Sequence, residues 1–519
     1  MAGSRGVTGR SRRSARARSA TVGVTVRVVG LVAVAALVLP AGPALAEPPA
    51  PADPAAAGGV SQPDPAHPVM PPAGLPPAQP VTTGIETVTY APGARDVLGA
   101  RQARSPAPLR LVAVTWTGAA PDAVALRSTD AAGTWGAWTD LDPSGSERDS
   151  AGPSVAPQRG GTDPIWVGDR TAVEVRAMRA GQPVTDEVQV VRLDPGLGSN
   201  DDAIGAMGAA RGPASPTYVT RAQWGADESM MSWPPETTPT VKAVTIHHTS
   251  ESNDYSAADS PKIVRAIFAY HARTQGWGDI GYNALVDKYG TIFEGRAGGL
   301  DRAVVAAHSG GFNRETFGIA MMGNTATTPP TPATLNSVAS LAAWKLGGLY
   351  RDPRQQVELT SAGGGTSRFP KGRTTTVPAL FAHRDVGNTS CPGDAGYAQL
   401  EPLRARVQQL IDQSATDVRA AWSAERATLG EPVRVEAPTA DGAGRSTDFE
   451  RGTVVWSPRT GAWPVTGAIA GHWRAAGGEA SPLGYPTSAE YDVPNGRQQD
   501  FQHGRLTWSR DSGAVASPA

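Results

Sequence analysis

A single cysteine, Cys391, occurs in this chain of 519 residues, and it lies eight residues after His383. One cysteine cannot form a disulfide bond within the chain, and a free thiol is a liability for a protein that leaves the reducing cytosol. The amino terminus is typical of an exported protein, so we expect the unpaired thiol to have a chemical role. Metal ligation or nucleophilic chemistry would supply one. A pair of histidines upstream, His247 and His248, favours a metal.

Export is predicted from residues 1–46. Seven arginines, the last of them Arg27, precede an apolar run at residues 28–39, which is followed by the small-residue sequence Ala44-Leu45-Ala46. This pattern is typical of a signal peptide. The apolar run is shorter than the ~20 residues that span a bilayer, and an uncleaved anchor is the alternative interpretation. No later segment is apolar enough to cross a membrane, so we expect a secreted protein with no membrane span in the mature chain.

Removal of this leader changes the charge balance. The whole chain has 47 Lys and Arg against 48 Asp and Glu, and the leader holds seven of the basic residues and none of the acidic ones. The mature chain therefore carries 40 basic against 48 acidic residues. A mildly acidic protein is a poor partner for nucleic acid, so we expect no nucleic-acid binding.

The next two stretches differ in composition. Residues 47–80 are rich in Pro and Ala with almost no large apolar side chains, which predicts a disordered linker. Residues 81–196 contain short runs of alternating polar and apolar residues, such as 109–116 and 171–177, broken by Gly, Pro and Asp. Alternation with a period of two indicates β-strands, and we predict a β-sandwich-like accessory domain.

Two tryptophans in this accessory domain, Trp135 and Trp138, allow two interpretations. They could stack on a carbohydrate, or they could cover a sheet as part of the core, which is the commoner use of tryptophan. The sequence therefore predicts a β module without naming its ligand. A passage rich in Gly, Ala, Ser and Pro at residues 197–216 predicts a second linker.

Strands and helices alternate over residues 217–414. A strand at 241–246 ends at His247, a helix opens at Ser260-Pro261 and extends through Arg273, and a strand at 379–382 leads into His383. Further predicted elements are a hairpin of 282–286 with 291–294, a strand at 317–322, a helix at 331–349 and an amphipathic helix after residue 400. We predict an α/β domain with a mixed central sheet flanked by helices. Both histidine clusters lie at strand ends, where such sheets place ligands.

Six motifs in this α/β domain occur in the order found in peptidoglycan recognition proteins and the related type 2 N-acetylmuramoyl-L-alanine amidases. The domain resembles that family over about 200 of the 519 residues. The motifs are 246–249 (IHHT), 276–283 (GWGDIGYN), 293–296 (FEGR), 307–309 (AHS), 318–319 with 323–324 (GI and GN), and 383–385 through 391–393 (HRD and CPG).

The resemblance implies a zinc site and an activity. His247, His383 and Cys391 match the family's three Zn²⁺ ligands, and a zinc with three protein ligands and an open position can hydrolyse an amide at neutral pH. The reaction implied is cleavage of the bond between N-acetylmuramic acid and L-alanine in peptidoglycan. Taken singly, Cys391 could instead be a buried apolar residue and His383 a surface histidine.

The resemblance also implies two further catalytic residues. Tyr282 matches a tyrosine that hydrogen-bonds the attacking water or the oxyanion in active members, although a core tyrosine is the alternative. Thr389 lies where phage-type relatives carry a lysine and could donate a hydrogen bond to substrate. His248 should point to the opposite face of its strand and play a structural role. His271 and His308 match family positions, and a core role explains each equally well.

The last part of the chain, residues 429–519, contains an internal repeat. Residues 449–457 return 52 positions later as 501–509, and Leu429-Gly430 returns 54 positions later as Leu483-Gly484. These segments resemble the LGFP repeats of actinobacterial cell-wall proteins, which implies attachment to the cell envelope. Their tryptophans and glycines could bind sugar or simply build the repeat.

Two classes of function fit these observations. The first is an exported zinc amidase, tethered to the cell wall, that acts on muropeptides for wall remodelling or lysis. The second is a non-catalytic peptidoglycan-binding recognition protein on the same fold. Binding-only members of the family commonly lose the cysteine or another ligand, and here the set is complete, which favours the enzyme.

Overall fold

A computed structural model describes most of the chain beyond its first 72 residues. The described residues are 73–91, 99–130, 132–144, 160–207, 217–364, 366–413, 416–434 and 436–518. The predicted signal peptide at 1–46, the predicted linker up to residue 72 and the second predicted linker from residue 208 to 216 lie outside them. Within the described ranges, none of the helices combines the length and the apolar character needed to span a bilayer.

The accessory domain consists of two antiparallel sheets, which confirms the predicted β-rich architecture. One sheet has the order β1-β11-β3-β7-β6 with β8 also paired to β3, and the other has the order β10-β9-β4-β5 with β2 paired to β9. The strands are β1 (Gly84–Val88), β2 (Arg101–Arg104), β3 (Arg110–Trp116), β4 (Ala123–Ser128), β5 (Thr139–Leu141), β6 (Pro143–Ser144), β7 (Gly160–Thr162), β8 (Ile165–Gly168), β9 (Ala172–Arg179), β10 (Gln182–Pro183) and β11 (Val188–Asp194).

The alternation in β9 shows why this region folds as a sandwich. Val173, Val175 and Ala177 are fully buried between the sheets, while Glu174 and Arg176 between them are only half-buried. Trp135 and Trp138 are outside this core. Both are half-buried, and the Arg127 guanidinium lies 5.4 Å from the Trp135 ring and 4.7 Å from the Trp138 ring. The structure therefore differs from the core interpretation, because arginine stacking covers these rings.

The α/β domain has a six-stranded mixed sheet of order β12-β15-β14-β16-β13-β19, as predicted. Strand β13 pairs in parallel with both β16 and β19, whereas β14 and β15 form the predicted antiparallel hairpin. The strands are β12 (Tyr218–Val219), β13 (Ala243–His248), β14 (Ala284–Val286), β15 (Ile292–Glu294), β16 (Thr316–Met321) and β19 (Leu380–Ala382), with a separate hairpin of β17 (Gln356–Thr360) and β18 (Thr374–Pro378).

Helices cover this sheet and follow the predicted apolar spacing. Thr331 caps α4 through its side chain, which accepts a hydrogen bond from the Thr334 backbone N–H. The helix α3 ends earlier than predicted, and Tyr270–Thr274 form a π-helical turn, a feature often found at functional sites. The helices are α1 (Asp201–Met207), α2 (Arg221–Trp224), α3 (Ser260–Ala269), α4 (Pro332–Gly348), α5 (His383–Val386), α6 (Asp394–Tyr397) and α7 (Leu400–Gln413).

The two domains share a buried apolar cluster. Leu111, Trp166 and Leu193 of the accessory domain belong to the same core cluster as Ile263 and Phe268 of α3. A bidentate ion pair is buried beside it, in which Arg265 of α3 donates to both carboxylate oxygens of Asp201 at 2.8 and 2.7 Å. A large apolar junction of this kind fixes two domains relative to each other.

Parts of the two predicted linkers are folded against the α/β domain. Residues 73–81 run along the α/β domain, where the Ala73 N–H donates to the Tyr218 carbonyl at 2.7 Å and the Gln223 side chain donates to the Leu75 carbonyl at 2.7 Å. Helix α1 occupies residues 201–207 of the second predicted linker. Composition misled the prediction because these segments are held by backbone hydrogen bonds and by packing on a neighbouring domain, neither of which a local pattern reveals.

The carboxyl-terminal region contains two similar units, which confirms the repeats. Each is a four-stranded antiparallel sheet preceded by a helix. The elements are α8 (Asp417–Ala424), α9 (Arg426–Leu429), β20 (Ala437–Pro438), β21 (Arg445–Phe449), β22 (Gly452–Ser457), β23 (Gly461–Thr466), α10 (Gly467–Ala475), β24 (Tyr491–Val493), β25 (Gly496–Phe501), β26 (Gly504–Ser509) and β27 (Gly513–Pro518).

The structure extends the repeat unit beyond the residues that the sequence comparison identified. Trp422 of α8 donates its indole N–H to the Gly430 carbonyl at 2.9 Å, and Trp473 of α10 donates to the Gly484 carbonyl at 3.1 Å. Both tryptophans are buried. The preceding helix is thus part of each unit, and these two tryptophans build the repeat.

Candidate metal centre

Three potential metal ligands meet at one edge of the central sheet. His247 lies near the end of β13, His383 follows the neighbouring parallel strand β19, and Cys391 lies in the loop before α6. Parallel strands bring their carboxyl ends to the same edge, so side chains 136 residues apart in sequence become neighbours. The ligand atoms of the three residues all lie within 4.8 Å of one another, and all three residues are buried. The structure therefore brings together the three ligands that the family resemblance implied.

The chemistry of this cluster fits Zn²⁺. Two imidazole nitrogens and one thiolate are a common zinc donor set that leaves a fourth position open. Burial, together with the neighbouring His383 and His308, holds the pKa of His247 well below its ordinary value, so its imidazole is neutral and has a lone pair to donate. Burial raises the pKa of the Cys391 thiol. Without a cation the thiol therefore keeps its proton, which metal binding would displace.

The orientation of the His247 ring is set by a second histidine. Its Nδ1 lies 3.7 Å from the Cys391 sulfur, and its Nε2 lies 3.0 Å from Nδ1 of His308. If Nδ1 is the metal ligand, Nε2 carries the hydrogen and donates it to His308. Burial lowers the pKa of His308 to about 3, so this ring is neutral and can accept. With that tautomer, His308, whose role the sequence left open, would position the His247 ring.

The space for the His308 ring depends on a glycine. A Cβ atom on Gly318 of β16 would lie 2.5 Å from the His308 ring carbons, so a side chain there would displace the ring. On its other side, His308 Nε2 lies 3.4 Å from the Thr316 hydroxyl, and its backbone N–H donates to the Asn313 side chain at 2.8 Å. The ring is therefore held from three directions.

We expect His308→Ala to weaken zinc binding about 10- to 100-fold, because His247 would lose the acceptor that orients its ring. The measurement is competition with a chelator of known zinc affinity. The matched control is His503→Ala, which removes an exposed histidine in the second repeat and should leave the affinity unchanged. Equal zinc affinity in His308→Ala and wild type would contradict the positioning role.

Tyr282 and Thr389 line the same cavity as the three ligands. The Tyr282 ring centroid lies 5.4 Å from that of His247, and the residue is 7% exposed. The Thr389 hydroxyl accepts a hydrogen bond from the Cys391 backbone N–H at 3.1 Å and donates one to the Asp142 carboxylate at 2.9 Å. Both candidate residues are therefore beside the cluster.

The other two histidines are held by neighbouring segments. Nδ1 of His248 accepts from the Thr325 N–H at 3.1 Å, and burial lowers the pKa of His248 to about 3. Nδ1 of His271, in the π-helical turn, accepts from the Gly281 N–H at 3.0 Å, and its ring lies 4.4 Å from the Trp277 ring. His248 also lines the cavity beside the metal ligands, and its structural role stays a prediction.

Two cavity residues come from the accessory domain. Asp142 and Asp163 lie beside the metal cluster, in a cavity of about 20 Å³. Sequence reasoning missed both, because each is an ordinary loop aspartate whose place is decided by how two domains dock. Trp277 also lines this cavity, and it belongs to one of the six motifs.

Comparison with known proteins identifies all three regions. Residues 237–394 match the family model described as N-acetylmuramoyl-L-alanine amidase, and residues 429–481 and 483–517 match the LGFP repeat. Residues 65–218 match the model described as Rv3811 N-terminal galactose-binding domain-like. The last match includes residues 73–80 and 197–207, the described parts of the two predicted linkers.

Individual relatives align with the α/β domain. Peptidoglycan recognition protein 1 of Bos indicus is 30% identical over 196 residues, which is 38% of this chain and 87% of that protein. The human N-acetylmuramoyl-L-alanine amidase is 34% identical over 132 residues, or 25% of this chain and 18% of that protein. The structure of wild-type Drosophila PGRP-LB covers 36% of this chain and 93% of its own length, with 26% identity and a TM-score of 0.29. Through its α/β domain, the chain belongs to the peptidoglycan recognition protein family, which shares the N-acetylmuramoyl-L-alanine amidase domain.

Proposed function

We propose that this chain is a zinc-dependent N-acetylmuramoyl-L-alanine amidase that cleaves the bond between N-acetylmuramic acid and L-alanine in peptidoglycan. The observation that carries the proposal is the buried cluster of His247, His383 and Cys391, whose donor atoms lie within 4.8 Å of one another. Tyr282 lines the same cavity. A recognition protein needs no metal to bind its ligand, so a complete donor set supports catalysis.

His247, His383 and Cys391 would hold the ion beside the cavity. When bound, Zn²⁺ supplies Lewis acidity, which activates water and polarises a carbonyl. The Tyr282 hydroxyl would donate a hydrogen bond to the carbonyl oxygen of the lactyl group as negative charge develops on it. The C–N bond then breaks, the carbonyl carbon keeps the hydroxyl of water, and the proton from water ends on the amine of L-alanine. Thr389 would position the substrate through its hydroxyl.

We further propose that the protein is secreted and acts at the cell wall. The predicted signal peptide supports export, and the two LGFP repeats support attachment to the cell envelope. The substrate would then be peptidoglycan or its muropeptide fragments, within reach of an enzyme held at the wall.

The test is to incubate the purified chain with muropeptides, either with added zinc or after chelation, and to identify products by mass spectrometry. The whole chain is needed because the accessory and α/β domains share a core cluster. We expect a free stem peptide with an L-alanine amino terminus in the zinc sample and none after chelation. Muropeptide that binds the zinc-loaded protein but stays intact would instead indicate a recognition protein.

A further inference from the structure

Two carboxylates of the accessory domain reach into the metal cleft. Asp142, between β5 and β6, accepts hydrogen bonds from the Thr389 hydroxyl at 2.9 Å and the Ser390 hydroxyl at 3.2 Å. Asp163, directly after β7, has a carboxylate oxygen 3.7 Å from Nε2 of His271. Both aspartates line the cavity that contains the metal ligands. The ends of strands in one domain therefore cover the candidate site of the other.

The strand ends that carry Asp142 and Asp163, here called the cover, fit closely against the α/β domain. A Cβ atom on Gly161 of β7 would lie 2.2 Å from the Tyr270 hydroxyl and 2.9 Å from the Gln275 side-chain nitrogen. A larger residue here would displace the Tyr270 and Gln275 side chains at the π-helical turn that carries His271. The small size of Gly161 therefore permits this close contact between the two domains.

The covered cavity is too small for the proposed substrate. Its volume is about 20 Å³, and a single water molecule needs roughly 10–15 Å³ measured in this way. Pockets that bind small organic ligands have volumes of roughly 300–1,000 Å³. A muropeptide, with at least a sugar and a peptide, does not fit beside the metal ligands until Asp142 and Asp163 move aside.

The polar contacts of Asp142 and Asp163 are easier to break than the apolar contacts between the accessory domain and α3. Ser390 is exposed, and Asp142, Asp163 and Thr389 are half-buried, so water can replace these hydrogen bonds. The sheet face itself is held on α3 by the buried apolar cluster. Opening is therefore expected to be local, at the strand ends, while the body of the accessory domain stays docked.

We propose that the accessory domain is an intramolecular inhibitor, which closes the metal cleft of the same chain through Asp142 and Asp163 until these strand ends are displaced. The hydroxyl of Thr389, which is proposed to contact substrate, is occupied by Asp142 in this closed state. Inhibition of cleavage by the accessory domain rests on the proposed function. Coverage of the cleft by Asp142 and Asp163 does not depend on that function, and it can be tested on the metal-free protein.

The single cysteine provides a probe of access, because Cys391 is buried and lines the covered cavity. Metal-free wild type, Asp142→Ala and Asp142→Asn would each be treated with iodoacetamide and, separately, with a bulky fluorescent maleimide. The ratio of the two rates cancels any change in the thiolate fraction, since both reagents need the thiolate. The matched control is Asp140→Ala, which removes an exposed carboxylate from β5, close to Asp142 in sequence.

We expect the ratio of maleimide to iodoacetamide rates to rise at least 10-fold in Asp142→Ala and to stay at the wild-type value in Asp140→Ala. In the zinc-loaded proteins, muropeptide cleavage should rise by a similar factor in Asp142→Ala. An unchanged reagent ratio in both Asp142 variants would overturn the proposal. So would a higher ratio with slower cleavage, because Asp142 would then be needed for the reaction.

One outcome separates this proposal from the proposed function. If Asp142→Ala opens the cleft to the bulky reagent, holds zinc and still leaves muropeptides intact, the cover is supported and the amidase activity is refuted.

Discussion

Replacement of Cys391 by serine is expected to abolish stoichiometric zinc binding and to lower muropeptide cleavage by at least about 10³-fold. The thiolate is the only anionic ligand in the cluster, and a serine hydroxyl keeps its proton at neutral pH. The sulfur also lies 3.7 Å from His247 Nδ1 and 3.9 Å from the His248 carbonyl, so the change alters the centre of the site. Zinc per chain is measured by atomic spectroscopy, and cleavage by release of stem peptide.

The control for this variant is its metal-free stability. Serine is close to cysteine in size, and its hydroxyl would have polar partners in His247 Nδ1 and the His248 carbonyl, so the fold should tolerate the change. Metal-free wild type and Cys391→Ser should therefore unfold at similar temperatures, while only wild type gains stability when zinc is added. A Cys391→Ser protein that holds one zinc per chain and cleaves at the wild-type rate would show that the metal binds elsewhere.

Much of the α/β domain can be predicted from its sequence because local signals and tertiary packing agree there. The strand that carries His247 and the hairpin of β14 and β15 form within two residues of where their patterns place them. The metal cluster could be predicted only from motif order, since spacing alone does not say that a histidine at position 247 meets a cysteine at 391. The sheet brings them together through the parallel pairing of β13 and β19.

The features that the sequence did not reveal depend on contacts between distant segments. The end of α3 becomes a π-helical turn, which carries the His271 ring beside Trp277. Asp142 and Asp163 become part of the cleft only because a sheet face with Leu111 and Leu193 packs on α3. No periodicity in one segment encodes the docking of another. Those residues are also the ones that distinguish this chain from an isolated recognition domain.

In the LGFP region, too, the sequence reveals local features but not the contacts between segments. The repeated Leu-Gly pairs precede the sheet of each unit, and they could be found by comparing the chain with itself. The helices α8 and α10 could not, because they share little sequence. Their equivalence becomes clear from one conserved contact, the indole of Trp422 or Trp473 bound to a glycine carbonyl.

Tyr282→Phe should lower the rate of muropeptide cleavage by about 10²- to 10³-fold while leaving zinc content unchanged, because removal of one oxyanion donor has an effect of this size. The ring stays in place, so its packing beside His247 at 5.4 Å between centroids is retained. Only the hydroxyl is lost. The loss should appear in kcat more than in KM, since the hydrogen bond forms mainly in the transition state.

The matched control is Tyr289→Phe. Its hydroxyl donates to the Tyr255 carbonyl at 3.0 Å, and the side chain is half-buried outside the residues that line the metal cavity. This variant should cleave at close to the wild-type rate. If Tyr282→Phe cleaves as fast as Tyr289→Phe, the oxyanion must be stabilised without Tyr282, and the tyrosine is then a packing residue at the edge of the sheet. If both variants are slow and hold less zinc, the effect is on the fold. A selective loss in Tyr282→Phe at full zinc occupancy would assign the hydroxyl to the reaction itself.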